Sequence, residues 1–553
     1  MGKGKRAHTI STPSIPSFGL PTTSDISFSV SPIRLKPLSK SQAQTSPCQE
    51  TPSAPLPSPR YHDQEQPTRR YEDIQHKMES APLSILVCTY LNYFVIILLG
   101  HLRDICGKIF KPNEYCHLRT TQGFAPLVSD FDSFFTRRLY MRIRDCWNRP
   151  VTGVASRTIH ILERKTTDYN KTFQLTGQIS EKLNFASYNY LGFSSNMGPC
   201  TEAVERQTKY AGITWPSTRA EAGTTQLHNQ LEKLVARFVG KEDAMVVSMG
   251  FATNSATIPA LVGRGCLIIS DELNHSSIVF GARLSGANVR VFRHNDTKDL
   301  HDLLREMISQ GQPRTHLPWK KILIIVEGLY SMEGTVVNLP ELVRLKRKYK
   351  CYLYVDEAHS IGALGDGGGG VCDYYGIHPK HVDILMGTFT KSFGAAGGYI
   401  AANKEVIDHL RTSNHAYIYA EPMPVPIIQQ IMISLNILCG LDGTQEGQKR
   451  LQQLARNSLY FSSKLRELGF TVYGDHGSPV VPLLLFNPAK IPAFSRELLK
   501  QGIAICVVGY PATSIISSRA RFCLSASHTK HDLDRVLSII NKLGDLLMLK
   551  YNQ

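Results

Sequence analysis

From about residue 205 onward, short apolar-rich runs recur along the chain, most of them separated by stretches with helical spacing. They are Ala244–Ser248, Cys266–Ser270, Val289–Phe292, Lys321–Glu327, Cys351–Val355, Val382–Met386 and Tyr399–Ala402. Runs that stay apolar at successive positions read as strands buried on both faces, and a sheet covered by helices on both sides provides that burial. The pattern predicts an α/β domain over residues 206–424 with a mainly parallel central sheet. From 425 to 553, helical segments alternate with shorter strands, Val480–Phe486 and Ile503–Val508, and predict a smaller α/β domain.

Upstream the pattern is different. Residues 1–75 are rich in Ser, Pro, Thr and Gln, as in Thr51–Pro59. Frequent prolines and low apolar content predict a disordered arm, because too little surface is buried to offset ordering entropy. Ala81–Gly100 then runs for twenty residues without a charge. At about 1.5 Å per residue it matches a hydrocarbon core roughly 30 Å thick, so a membrane-anchoring helix is expected over 78–105. A buried core helix is the competing reading. Lysines and arginines on the two flanks are too evenly matched to fix an orientation. Residues 110–205 mix aromatics and arginines and read as a connecting segment.

Composition narrows the function. At 553 residues, 42% hydrophobic and 20% charged, the chain can bury two or three packed units. A net charge of +16 suits an anionic membrane surface or a polyanionic ligand such as coenzyme A. No arginine-rich or aromatic-interleaved pattern of the nucleic-acid binders is present, so no nucleic-acid partner is expected. The twelve cysteines form no CxxC pair and no ligand spacing, which predicts reduced thiols and no metal site.

Candidate chemistry collects at the ends of the predicted strands. Lys391 lies between the run Val382–Met386 and the glycines Gly394, Gly397 and Gly398. A half-desolvated amine there has a lowered pKa and can attack a carbonyl. Asp356 closes the run before, with His359 three residues on, at the edge where open α/β sheets hold ligands. The string Asp356-Glu357-Ala358-His359 also occurs in nucleotide-hydrolysing helicases, but no GxxxxGK[ST] precedes it. Gly250 opens a helix after a strand, a place for a phosphate. His275 follows the next strand tip, where a lone histidine is more often structural. Glu327 and Ser331 repeat the strand-tip pattern. An amine, a carboxylate, an imidazole, a phosphate cup and a hydroxyl together suit pyridoxal phosphate, an electron sink for a carbanion beside an amino group.

The segments Gly387–Ala401, Tyr354–Ala363, Ser248–Gly263, Ser270–Ala287, Val326–Gly334 and Arg519–Thr529 resemble the α-oxoamine synthases, fold-type I pyridoxal phosphate enzymes. Within them the chain is most similar to the lysine-bearing large subunits of the serine palmitoyltransferases, from about Asp132 to the C-terminus. The resemblance implies that Lys391 carries the cofactor, Asp356 faces its pyridine nitrogen and His275 stacks on its ring. It puts His359 and Ser331 near the ring hydroxyl, Thr388, Gly250 and Phe251 at the phosphate, and Arg521 on the substrate carboxylate. L-serine and a long-chain acyl-CoA are the implied substrates, and a 3-ketosphinganine is the implied product. A lysine-lacking small subunit is the implied heterodimer partner, with small regulatory membrane subunits, in a complex of the endoplasmic reticulum membrane facing the cytosol. Three departures stand out. The family's glycine-rich loop reads Ala211–Thr224 here, with Thr214, Trp215 and Pro216 entering and Ala220 replacing a histidine. Its Gly-Arg-Gly reads Gly368-Gly369-Gly370, and its Thr-Ser before a proline pair reads Glu421-Pro422. Two other readings compete: an α-oxoamine synthase using glycine or alanine, and a slow or inert subunit with a regulatory role, which the altered loop favours.

Overall fold

The computed structural model describes Glu72 and residues 82–551 apart from 121, 122 and 127. The arm expected over residues 1–75 lies outside the described residues, Glu72 excepted.

Leu83–Phe110 is one 28-residue helix. Its inner stripe, Thr89, Tyr93, Gly100 and Asp104, is buried against the body of the protein, while Leu91, Phe94, Leu98, Leu99 and Leu102 on other faces are exposed. Gly100 lets the helix pack closely, since a Cβ there would come 3.0 Å from the Phe134 ring. Past this helix, strands β1 (Val151–Thr152), β2 (Thr158–Lys165) and β3 (Gln174–Asn184) form an antiparallel sheet. The sequence pattern did not mark these strands, because β3 is exposed along most of its length and its apolar residues are sparse.

The central sheet contains β4 (Asp243–Val247), β5 (Leu267–Asp271), β6 (Asn288–Phe292), β7 (Ile322–Glu327), β8 (Tyr352–Asp356), β9 (Ile384–Thr388) and β10 (Gly398–Ala402). Their spatial order is β4-β10-β9-β8-β7-β5-β6. The pairs from β9 to β6 are parallel, and only β10 runs antiparallel to its two neighbours. Each strand lies within two residues of its expected position. Alternate residues feed two separate cores. Leu267, Ile269, Ile324, Val326, Leu353 and Val355 pack on one face, and Ile268, Leu323, Ile325, Tyr354, Ile384 and Met386 on the other. Such two-sided burial follows from the uninterrupted apolar runs.

After the helices Val425–Cys439 and Glu446–Glu467 come β11 (Val480–Leu484), β12 (Ile503–Ala504), β13 (Cys506–Val508) and β14 (Arg519–Cys523). A third sheet has the order β11-β14-β13. The run Ile503–Val508, expected as one strand, serves two sheets: Ile503 and Ala504 pair in parallel with β3, whereas Cys506–Val508 pair with β14.

Candidate active site

Register sets the site. Glu327 on β7 pairs with Asp356 on β8, and Asp356 with Met386 on β9, so two carboxylates stand side by side at one sheet edge. Thr388 ends β9, pairing with Gly398 of β10, which in turn pairs with Val247 at the end of β4. Lys391 follows three residues after Thr388 and Gly250 three after Val247. The strand tips thus deliver the amine, both carboxylates and the helix start to one place.

Asp356 is fixed from both oxygens. Oδ2 accepts from Asn254 Nδ2 at 2.7 Å and Oδ1 from the Ala358 N–H at 2.9 Å. Asn254 is held in turn, accepting the Tyr354 hydroxyl at 2.7 Å and donating to Ser277 Oγ at 3.0 Å. Ser277 Oγ also meets His275 Nδ1 at 2.8 Å. The His275 backbone N–H donates to Glu327. Burial, with the adjacent Asp356 charge, pushes the Glu327 carboxyl well above the usual carboxylate range.

Lys391 is partly buried, and its Nζ reaches Thr388 Oγ1 at 3.4 Å. Burial lowers its pKa; Asp356 and Glu327 oppose that fall and Arg521 adds to it. His359 is held well below its ordinary pKa by burial and by the cations Lys391 and Arg521, so its ring is neutral. Its Nδ1 pairs with the Tyr190 hydroxyl at 2.8 Å. Arg521, from the middle of β14, is buried; its Nη1 donates to the Ser331 carbonyl at 3.5 Å, while its Nε has no partner among the described residues.

Tyr188 joins these groups. Lys391 Nζ lies 5.9 Å from its ring centroid and the Arg521 guanidinium 4.6 Å, and the His359 ring meets it edge-on at 4.7 Å. The Ser331 side chain hydrogen-bonds its hydroxyl. The sequence-predicted residues Lys391, Asp356, His275, His359, Ser331, Thr388 and Arg521 therefore converge. Gly250 and Phe251 sit at the rim, where Phe251 is 41% exposed with its ring 6.3 Å from that of His275. Asn254, Tyr188 and Tyr190 were missed as members. Asn254 sits inside the Ser248–Gly263 stretch one helical turn past Gly250, a spacing that could have flagged it. Nothing in the sequence singles out the tyrosines, which follow β3 far upstream.

The altered loop has a structural half. Arg219 is buried; its Nη2 meets Glu232 at 3.0 Å, and its guanidinium lies 5.0 Å over Tyr417. Trp215 is half exposed.

The pocket fits pyridoxal phosphate on its own chemistry. It offers a partly buried amine whose pKa is lowered, and a carboxylate with both oxygens already oriented. The helix Gly250–Leu261 starts beside Thr388, where a Cβ on Gly250 would stand 3.3 Å from Thr388 Cγ2 and 3.7 Å from the Gly397 carbonyl. Backbone N–H groups at that end are free to meet an anion. Residues 180–540 match the aminotransferase class I and II family, and the fold and the lysine–aspartate pocket are those of a fold-type I pyridoxal-phosphate-dependent transferase. The chain is 54% identical over 467 residues to serine palmitoyltransferase 2 of Schizosaccharomyces pombe, spanning 84% of this chain and 77% of that one. It belongs to the serine palmitoyltransferase family. The Sphingomonas wittichii serine palmitoyltransferase superposes with a TM-score of 0.67 at 27% identity, over 77% of this chain and 100% of that one. A variant of the S. paucimobilis enzyme, solved with a bound pyridoxal phosphate–myriocin adduct, gives 0.66 at 25% identity, over 76% and 99%.

Proposed function

We propose that this chain is the catalytic, lysine-bearing subunit of a serine C-palmitoyltransferase, condensing L-serine with a long-chain acyl-CoA to 3-ketosphinganine, coenzyme A and carbon dioxide. The observation that carries this reading is the partly buried Lys391, its pKa lowered by desolvation, beside the Asp356 and Glu327 carboxylates and Arg521. When bound, pyridoxal phosphate supplies an electron sink for a carbanion at the amino-acid α-carbon. Asp356, oriented by Asn254 and the Ala358 N–H, keeps the pyridine nitrogen protonated. His275 would pack on the cofactor ring, and His359 and Ser331 would face its ring hydroxyl. Thr388, Gly250 and Phe251 would hold the phosphate. Arg521, with its unpaired Nε, binds the serine carboxylate through charge-assisted hydrogen bonds. Lys391, lowered by burial, takes the proton from the serine α-carbon as general base.

The same reading makes the Leu83–Phe110 helix the anchor to the endoplasmic reticulum membrane, with the catalytic body on the cytosolic side. Supporting it are a mean hydropathy of 2.1 over its most apolar 18 residues and a large exposed apolar surface. The partner is a lysine-lacking small subunit of the same family. Glu421 is exposed where related homodimers offer hydroxyls to a neighbour's phosphate, and a carboxylate there would repel it. The test is product analysis with the chain and this partner, supplied with palmitoyl-CoA and labelled serine, glycine or alanine in turn. A long-chain ketone carrying only the serine label is expected. Equal incorporation of glycine or alanine contradicts the substrate assignment, and no product at all with cofactor bound contradicts the catalytic role.

A further inference from the structure

Away from the catalytic pocket, a cavity of about 800 Å³ lies at the charged end of the helix Leu83–Phe110. Arg103, Arg137, Arg138, Arg142 and Lys171 line it, against one lining carboxylate, Glu114. The five cations are not equivalent. Arg137 and Arg138 both pair with Asp104, which is buried on the inner stripe of the helix, and Arg137 also pairs with Asp130 at 2.7 Å. Their charge is met, and they form a fixed floor in which Arg137 Nε is still buried without an acceptor among the described residues. Arg103 and Arg142 are different: no hydrogen bond or ion pair ties either side chain to any described residue. Lys171 meets Glu114 at 3.5 Å with both side chains more than half exposed, a pair that holds little. The wall thus carries two uncompensated guanidiniums beside a loosely held ammonium.

The wall is also built. Asn170 Nδ2 donates to the Arg142 carbonyl at 3.1 Å and to Asp145 Oδ1 at 3.0 Å, pinning the loop that carries Lys171. Tyr169 and Asn170 both hold positive φ, 58° and 67°, and Tyr169 is left 90% exposed. Along the helix, Leu83–Leu102 contains no Asp, Glu, Lys or Arg, and Arg103 is the first charge. On the membrane-anchoring reading it would stand where a hydrocarbon layer gives way to headgroups, a level that also suits an exposed tyrosine.

We propose that this cavity binds the phosphate of an anionic phospholipid headgroup, with Arg103, Arg142 and Lys171 as its ligands; the inference rests on the membrane-anchoring reading of the helix. A guanidinium pair with spare donors is suited to a phosphate, and cations next to an anionic surface draw such headgroups in. A soluble phosphate, such as one of those on coenzyme A, shares this chemistry, so the test separates the two sources.

The experiment uses the full-length holoenzyme in neutral detergent, incubated with equal amounts of phosphatidylserine and phosphatidylcholine, and reads retained lipid by native mass spectrometry. The parent should retain phosphatidylserine preferentially, and Arg103→Gln/Arg142→Gln should lose about tenfold or more of that retention. Arg103→Lys/Arg142→Lys should keep part of it, with thermal midpoint and turnover unchanged in both variants. Equal retention by the parent and the glutamine variant overturns the site. Displacement of the lipid by added inorganic phosphate or coenzyme A overturns the headgroup source. Membrane pelleting of the same proteins isolates the anchor: parent and variants should all sediment with membranes. Failure of the parent to sediment sinks the anchor reading, whereas sedimentation without lipid preference sinks only the site.

Discussion

Two clusters of buried charge flank the same sheet, and they behave in opposite ways. Around β4, Arg219 meets Glu232 at 3.0 Å, and Glu232 also accepts the Val246 N–H at 3.0 Å. Arg411 adds bonds to Asp243 at 2.8 Å, Glu232 at 3.4 Å and the Ala244 carbonyl at 3.1 Å. Each charge there is answered by the chain itself. At the tips of β7, β8 and β9, by contrast, Glu327 and Asp356 lie side by side, and the Lys391 amine has one long contact, to Thr388. Arg521 keeps a buried Nε unanswered. Burying charge is expensive in both places, and only in the first is the cost offset within the protein. The second is arranged for a molecule that supplies the missing partners. Unanswered charge, rather than buried charge, marks the site.

The comparison can be broken most severely at Lys391. Lys391→Ala should abolish turnover and covalent cofactor attachment while circular dichroism and melting stay near the parent; measurable product at the parent rate would remove the amine from the chemistry. Asp356→Asn should retain cofactor but lose several powers of ten in rate, about 4 kcal/mol or more at ~1.4 kcal/mol per decade. Activity within about tenfold of the parent would mean that the carboxylate is structural after all.

The paired cluster should respond in the reverse sense. Glu232→Gln leaves Arg219 and Arg411 short of a buried counter-charge, and denaturant melts should show a loss of about 3–5 kcal/mol. The kcat of the protein that remains folded should hardly move. A kcat defect with unchanged stability would erase the distinction between the two clusters.

A smaller, pH-dependent effect comes from His528, which packs flat on Phe185 with ring centroids 4.2 Å apart. Burial, against its bond to the Asn184 carbonyl, lowers its pKa to about 4. Because the unfolded chain binds a proton near pH 6.5 and the folded one does not, the folded state should weaken as pH falls from about 6.5 toward 4. The loss is at most about 3 kcal/mol for some 2.5 pH units. His528→Gln should flatten that part of the stability–pH curve; an unchanged slope would assign it to other groups.

Much of the central sheet was legible because its strands are apolar on both faces, a pattern that little else produces. The tips were legible for the same reason: a chemically active residue after such a run has few places to go. Arg521 was found by resemblance alone, since β14 is short and its pairing with β11 and β13 brings together segments far apart in sequence. Tyr188 and Tyr190 reach the pocket only because β3 and the loop after it are tied to the C-terminal segment. The Phe185 carbonyl accepts the Cys523 N–H at 2.9 Å, and the Tyr190 carbonyl the Ala526 N–H at 2.7 Å. No local periodicity encodes such a contact. Arg219, inside the altered loop, was not singled out in the sequence either; only the fold places Glu232 beside it as a buried counter-charge.

Borohydride reduction of the holoenzyme, followed by peptide mass spectrometry, identifies the amine that carries the cofactor. Reduction fixes the cofactor to whichever amine holds it. One modified lysine, Lys391, is expected, with labelling suppressed when serine is added before the reductant. Modification at another lysine, or labelling of Lys391 that serine leaves untouched, would contradict that assignment.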